Sequence, residues 1–528
     1  MKIRYILLLI ITVLGVSSCY DDKGNYSYDP KNDIKITFDA SYFEAILGEK
    51  IKLTPRLTFA IDSNDVDLSY KWTFLGKEIS DQRNLEWVVD TVTSNHNVYL
   101  NVTDNRTGVT FSGGISAMLS SAYAKEAWVV LAKQNGKSVL SYIRETQEDD
   151  GSEYGKFTYT DIPDIYQLVN GEELGTEPVR VLEHFAARGG IGHFWVLQNG
   201  GQGCVDLSGE DFTKDILLND IFLDGNLPVD FKPIDMIDMK WLTCVVNHDG
   251  KVYTRKKLTN QLYNSGYFID RPLEFENEEV DGSRMVLAPF SDLNYTVMYD
   301  KVHNRFLAIA DLKKETAGKV VKFTVDESGY APDFARLDNL GNMEVLHTGY
   351  YEVKEGESGD QGYYSILRDR TTGNYYTHDF RVNAMSESSD PSAFPVLQRQ
   401  IDLNQVINGT SKNVFNVLRS WVYGDDFGTP YVLISKDNEL WLYDRDAKMP
   451  VEKYYEFPQG QIITAIDSES VGSRRVAIGM QSGEFYVLDL TRKAVNGQKE
   501  KLIYASTHNF GEIVHIRYKV CSGNGWGY

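Results

Sequence analysis

Several short segments bring together residue types that do chemistry. Asn135-Gly136-Lys137-Ser138 ends as a phosphate-cradling loop does, but the glycine required five positions before Gly136 is Leu131, so the segment reads as a hairpin turn. Gly356-Glu357-Ser358-Gly359 lacks the spacing that sets a nucleophilic serine between glycines at a strained strand-to-helix corner, and reads as an acidic loop. The nine histidines are scattered, with no His-x-x-x-His pair on one helical face and no Cys-x-x-Cys, so the sequence predicts no metal centre. His248 and His378 each precede an aspartate near a turn, where loop hydrogen bonding is their expected role. Asp425-Asp426 and Glu276 to Glu279 offer hard oxygens of the kind that hold calcium, and read as solvated loop charge. Two carboxylates that cleave a glycosidic bond must stand about 5 to 10 Å apart across a cleft, which a sequence does not display. No catalytic residue and no cofactor is assigned, and enzymatic activity is left open.

Aromatic side chains are the remaining signal. Among 33 tyrosines stand the doublets Tyr350-Tyr351, Tyr363-Tyr364 and Tyr375-Tyr376, and Trp421-Val422-Tyr423 leads into the loop Gly424-Asp425-Asp426-Phe427-Gly428. Rigid amphipathic rings on loops suit the binding of sugars or peptides, so Tyr350, Tyr351, Trp421, Tyr423 and Phe427 are the candidate ligand contacts. Tyrosine also favours sheets, which is the competing explanation for each of them. Ser435-Lys436-Asp437-Asn438-Glu439-Leu440-Trp441 is similar to the Asp-box of sialidase propellers, but Glu439 replaces the expected glycine and the tryptophan falls one position early. An ordinary turn is expected there.

With 75 acidic against 54 basic residues the formal net charge is -21, which excludes a role built on neutralising nucleic-acid phosphates. Of the four cysteines, Cys204 and Cys244 have apolar neighbours and are expected as buried thiols. With Cys19 set aside, three remain, enough for one intramolecular disulfide.

The elements that must position these groups are strands. Residues 32–119 carry short alternating strands and turns, as an immunoglobulin-like β-sandwich does. Leu68 to Phe74 places Tyr70, Trp72 and Phe74 on one face, with Trp72 the expected core anchor. Val98, Leu100 and Val102 alternate inward before the hairpin turn Asn105-Arg106-Thr107-Gly108. From residue 120 onward an apolar strand, a polar turn and a second strand recur, with the apolar strands starting near Trp128, His193, Leu242, Tyr295, Tyr363, Tyr431 and Arg475. Seven such units at spacings of roughly 45 to 70 residues are close to the blade length of a β-propeller, so 120–528 is expected as a propeller of seven blades, with six or eight open. Glu512 to Val520 is one more apolar strand with no partner downstream, and is expected to pair into the first blade and close the ring.

At the N-terminus Lys2 and Arg4 precede the apolar run Ile6 to Val13, and Val16-Ser17-Ser18-Cys19 follows as a small-residue cleavage site. A bare signal peptide would have this form. The tetrapeptide resembles the bacterial lipobox, which implies removal of residues 1–18 and acylation of Cys19, with 19–31 as a flexible tether. Asp21-Asp22 just after the cysteine resembles the surface-export signal of Bacteroidota lipoproteins.

The Tyr-x-Trp strand and Val102-Thr103-Asp104 before its turn resemble the PKD (polycystic kidney disease repeat) type of domain, which usually serves as a spacer. Together with the opening Cys19-Tyr20-Asp21-Asp22-Lys23-Gly24-Asn25-Tyr26, the chain resembles the PKD-like family lipoproteins of Bacteroidota. That resemblance implies a cell-surface protein of the outer membrane, held by its lipid. It also implies a non-catalytic accessory that binds a glycan or oligopeptide, or packs on a SusC/SusD-type, TonB-dependent importer. The alternative is a surface glycoside hydrolase or lyase using the propeller face.

Overall fold

The structure, a computed structural model, describes residues 32–64, 66–148, 156–184, 192–259, 264–286, 295–325, 333–352, 360–383, 386, 390–418, 431–445, 450–469 and 474–520. It divides into two compact units, up to Leu119 and from Ser120.

The first unit is all strand. Tyr42–Ile46, Val109–Ser120, Thr93–Asp104, Leu68–Phe74 and Lys77–Ser80 form one sheet in that order, accompanied by the pairs Ile34–Thr37 with Arg56–Phe59 and Lys50–Leu53 with Leu85–Val88. The alternation in Leu68–Phe74 puts Trp72 and Phe74 into a core shared with Trp87, Val98, Leu100 and Val102. Trp72 is fully buried, and its indole Nε1 donates to the Gln82 carbonyl oxygen at 2.9 Å, so its one polar atom is satisfied. The turn at Asn105 to Gly108 forms because the Asp104 carboxylate accepts from the Arg106 backbone N–H at 3.0 Å, while Gly108 takes the left-handed φ of 71°.

The second unit is a ring of seven sheets, a seven-bladed β-propeller among the described residues. Blade 1 comprises Glu512–Lys519, Ala127–Gln134, Lys137–Glu148 and Lys156–Ile162, and blade 2 comprises Thr176–His184, His193–Gly200, Val205–Ser208 and Lys214–Leu217. Blade 3 has three strands, Pro233–Asp238, Leu242–Asn247 and Val252–Lys256. Blade 4 is Arg284–Val286, Tyr295–Asp300, Arg305–Ala310 and Val320–Lys322. Blade 5 is Met343–Glu352, Asp360–Asp369, Tyr375–Asn383 and Ser392–Ile401, with Thr324–Val325 parallel to its edge; blade 6 is Phe415–Val417, Tyr431–Lys436, Glu439–Asp444 and Glu452–Glu456. Blade 7 is Ile463–Ser468, Arg475–Met480, Phe485–Asp489 and Leu502–Ala505. The seven repeated apolar strands of the sequence are the second strands of these blades.

Their uninterrupted apolar character has a direct cause: both faces are buried. In blade 1, Ala127, Val129 and Leu131 face a core shared with blade 2, while Trp128, Val130 and Ala132 face a core shared with blade 7. The same division repeats around the ring, with one apolar cluster between each neighbouring pair of blades. Glu512–Lys519 joins the two ends of the propeller chain, pairing antiparallel with Ala127–Gln134 and packing against the first strands of blades 7 and 2. Cys204 and Cys244 are free thiols buried in these seams, and burial pushes the Cys204 thiol up to about 12, which makes it inert as a nucleophile. Cys521 lies outside the described residues.

Candidate ligand-binding channel

The first strand of every blade lies innermost, and together these strands line a central cavity of about 1290 Å³. Its wall mixes polar and apolar side chains, and its charges are largely matched. Arg180 of blade 2 pairs with Asp235 of blade 3 at 2.8 Å, and Arg517 of blade 1 stands 3.8 Å from Glu183 and 3.9 Å from Asp467. Asp238 meets the buried Lys257 ammonium at 2.5 Å. Burial pushes the Asp235 carboxyl up, against the pull of Arg180. Burial also pushes the His184 imidazole down to about 3, so it is neutral at physiological pH.

One mouth of the channel is different, and the topology says why its residues meet. In an antiparallel blade the first strand starts at the same end as the turn between the second and third strands. Arg284 opens the first strand of blade 4, Lys301 and Arg370 follow the second strands of blades 4 and 5, and Lys412 precedes the first strand of blade 6. All four line the cavity and all four are exposed. Among the described residues none of them has an ion-pair partner within 4 Å. Arg284 stands opposite Tyr299 in the strand register. Burial raises the Tyr299 phenol's pKa while the charges of Arg370 and Arg284 lower it. Glu344 and Asp281 are the acidic residues of this arc, each acting on both Arg284 and Tyr299. Asp281 and Asp369 are occupied with turns, accepting from the backbone N–H groups of Ser283 at 3.0 Å and Thr371 at 2.7 Å.

The PKD-like family model matches residues 19–178. The match takes in the described strands of the first unit, the three strands Ala127–Gln134, Lys137–Glu148 and Lys156–Ile162 of blade 1, and the start of blade 2. Over nearly the whole chain the structure is similar to a quinonprotein alcohol dehydrogenase-like protein of Bacteroides thetaiotaomicron, at 12% identity and a TM-score of 0.38 over 92% of this chain and 99% of that one. It is also similar to AztD of Citrobacter koseri, at 13% identity and a TM-score of 0.34 over 85% and 97%, and to BamB of Moraxella catarrhalis, at 10% and 0.31 over 75% and 91%. No curated protein sequence matches the chain.

The aromatic candidates fall in different places. Tyr350 lines the channel but is mostly buried in the core between blades 4 and 5. Tyr351 points the other way, into the seam of blades 5 and 6. There its hydroxyl donates to Asp379 at 2.5 Å and the Arg445 guanidinium lies 3.8 Å above its ring. Trp421, Tyr423 and Phe427 lie outside the described residues, as do Cys19 with its lipobox and tether, Gly356 to Gly359, and Asp425-Asp426. The acidic run from Glu276 is paired rather than convergent: Glu276 bridges Arg305 at 3.2 Å and Lys322 at 2.6 Å, and Glu278 meets His303 at 2.5 Å. Asp437 of the Asp-box-like segment takes a left-handed φ of 51° in the turn between Lys436 and Glu439, and its carboxylate accepts from the backbone of Thr410 and Ser411 in the preceding loop at 3.0 and 2.9 Å. Sequence reading missed the cationic arc because its members are isolated charges on three different blades.

Proposed function

We propose that this protein is a non-catalytic binding subunit, carried on the outer-membrane surface by acylated Cys19, which captures an anionic group of a glycan or oligopeptide at the channel mouth for a SusC/SusD-type, TonB-dependent importer. The observation that carries this reading is the arc of Arg284, Lys301, Arg370 and Lys412 in a chain of net charge -21. Four cations without an ion-pair partner among the described residues, on a protein otherwise rich in acid, are the complement of a carboxylate or sulfate ligand. The lipobox-like segment and the PKD-like match support the surface placement. Glycosidic cleavage needs a pair of carboxylates free to act, and the wall residues Asp235, Glu183 and Asp467 each face an arginine instead.

The test is calorimetric titration with a polyuronate oligosaccharide, its neutral counterpart and an aspartate-rich peptide, against the wild type and Arg284→Glu/Arg370→Glu. Binding of an anionic probe that weakens about tenfold or more in the double variant, and weakens with added salt, supports the reading. Equal affinity of wild type and variant, or no binding of any anionic probe, overturns it. Outer-membrane pull-down of the acylated protein should recover a TonB-dependent transporter.

A further inference from the structure

A second constellation lies in the seam of blades 2 and 3. His193, Trp195 and Leu197 alternate onto the face of blade 2 that meets blade 3, and Asp206, set between the oppositely directed Val205 and Leu207, joins them there. Asp215, from the next strand of the same blade, completes the group. The His193 Nδ1 is 2.9 Å from Asp206 Oδ2, and the Asn264 amide Nδ2 donates to Asp206 Oδ2 and Asp215 Oδ2, both at 2.7 Å. One potential ligand atom from each of His193, Asp206 and Asp215 lies within 4.8 Å of the others, so a small inward turn of the side chains brings all three to the spread of at most about 4.4 Å that a cation spans at ligand distances near 2.2 Å.

Two features separate this group from an ordinary acidic cluster. The Asp206 side chain is fully buried, yet its Oδ1 has no hydrogen-bond partner. A carboxylate removed from water with one oxygen bare is costly unless a charge compensates it. His193 supplies such a charge only when protonated, and the buried Arg255 guanidinium, held against Asn264, pairs with neither aspartate. Arg255 spends its hydrogens on the Asn264 oxygen at 3.0 Å and on the Thr243 hydroxyl at 2.9 and 3.2 Å. Arg255 thereby fixes which end of the Asn264 amide faces the two carboxylates, as residues behind a metal's direct ligands do.

We propose that His193, Asp206 and Asp215 form a divalent-cation site, with Asn264 holding the two carboxylates in register. One imidazole nitrogen and two carboxylate oxygens suit Zn2+ or Mn2+. The cation would replace the His193–Asp206 hydrogen bond and clasp blade 2 at its seam with blade 3. Blade 3 is the blade with three strands, and the segment carrying Asn264 and Phe268 covers its edge through single bridges of Phe268 to Arg255 and Phe222. The site is independent of the channel mouth and stands or falls separately from it.

The experiment uses the untagged chain, stripped with chelator and titrated with Zn2+ and with Mn2+ while bound metal, heat and thermal unfolding are followed. Saturable uptake of one equivalent of either ion that raises Tm is expected, as any ligand of the folded state must. His193→Gln and Asp215→Asn should each weaken that uptake by about tenfold or more. Asp215 is exposed, so its variant leaves the core untouched and should show a native circular dichroism spectrum even where Asp206→Asn fails to fold. No saturable uptake by the wild type, or wild-type affinity in folded Asp215→Asn and His193→Gln, overturns the proposal.

Discussion

The His378 imidazole donates its Nε2 hydrogen to the carbonyl oxygen of Ala335 at 2.9 Å. A carbonyl only accepts, so Nε2 carries the proton, and Nδ1, buried and without a hydrogen-bond partner, is bare. His378 lies in the third strand of blade 5 between Phe334, with ring centroids 4.5 Å apart, and Phe380 at 5.5 Å. Burial in that apolar sandwich pushes its pKa down to about 4, against the opposing pull of the Ala335 bond.

That placement predicts an acid-labile fold. A histidine whose folded pKa is depressed contributes stability above its unfolded value, and the contribution is lost as pH falls, here from about 6.5 through about 4. His378→Phe should cost about 1 to 3 kcal/mol at pH 7.5 by orphaning the Ala335 carbonyl. The gap to wild type should narrow at pH 5, where the wild type has lost part of its advantage. Urea unfolding at the two pH values checks this, and a gap that widens toward acid refutes it.

Arg475 holds the seam where the ring closes. Its guanidinium contacts Glu469 at 2.6 Å within blade 7 and Glu145 at 2.6 Å in blade 1, and it lies 3.7 Å over the Phe157 ring. Glu145 also accepts from the Trp128 indole at 2.7 Å and the Tyr518 hydroxyl at 3.1 Å, so three elements of the seam share one network. Arg475→Met should destabilise by about 3 to 5 kcal/mol, because it leaves two buried carboxylates without their cation. Adding Glu145→Gln and Glu469→Gln should recover most of that loss. Guanidinium unfolding of the three proteins measures it, and a single variant as stable as wild type would show that the network does not carry the seam.

The legible part of the fold was the part buried on both sides. Strands such as Trp128 to Ala132 and Arg475 to Met480 are apolar at every second and third position because each face fills a different seam, and that doubled signal marks all seven blades. The innermost strands gave almost no signal. Thr176–His184 and Glu512–Lys519 send apolar residues into the seams but also border the channel, so Arg180, Glu183, His515 and Arg517 interrupt the apolar run. Trp72 and Val98 to Val102 were readable by simple alternation. Tyr351 shows the opposite failure: a tyrosine doublet looks like a binding platform until the register sends both rings into cores, one on each side of the blade. The cationic arc and the His193 group are assembled by ring closure and by cross-strand register, which local spacing does not encode.

Ring closure also depends on a residue that has no side chain. Gly479, in the second strand of blade 7, faces the closing strand, and a Cβ there would stand 2.5 Å from Ile513 Cγ2, 3.0 Å from Ile516 Cδ1 and 3.1 Å from Ile513 Cβ. Its backbone is ordinary strand, so the glycine is explained by space and not by conformation. Ile513 and Ile516 are themselves buried against Ala477 and Trp128, and the seam gives way only by moving a strand that two blades share. Gly479→Ala should therefore cost about 1 to 3 kcal/mol by overpacking, although alanine is otherwise better than glycine in a strand. Ile513→Val removes a methyl from the crowded side chain and costs about 0.5 to 1.5 kcal/mol alone. The two substitutions combined should be more stable than the sum of their separate losses, since residues in contact couple by about 0.5 to 3 kcal/mol. Denaturant unfolding of the four members of the cycle reads that coupling directly, and strict additivity would mean that the closing strand does not press on Gly479.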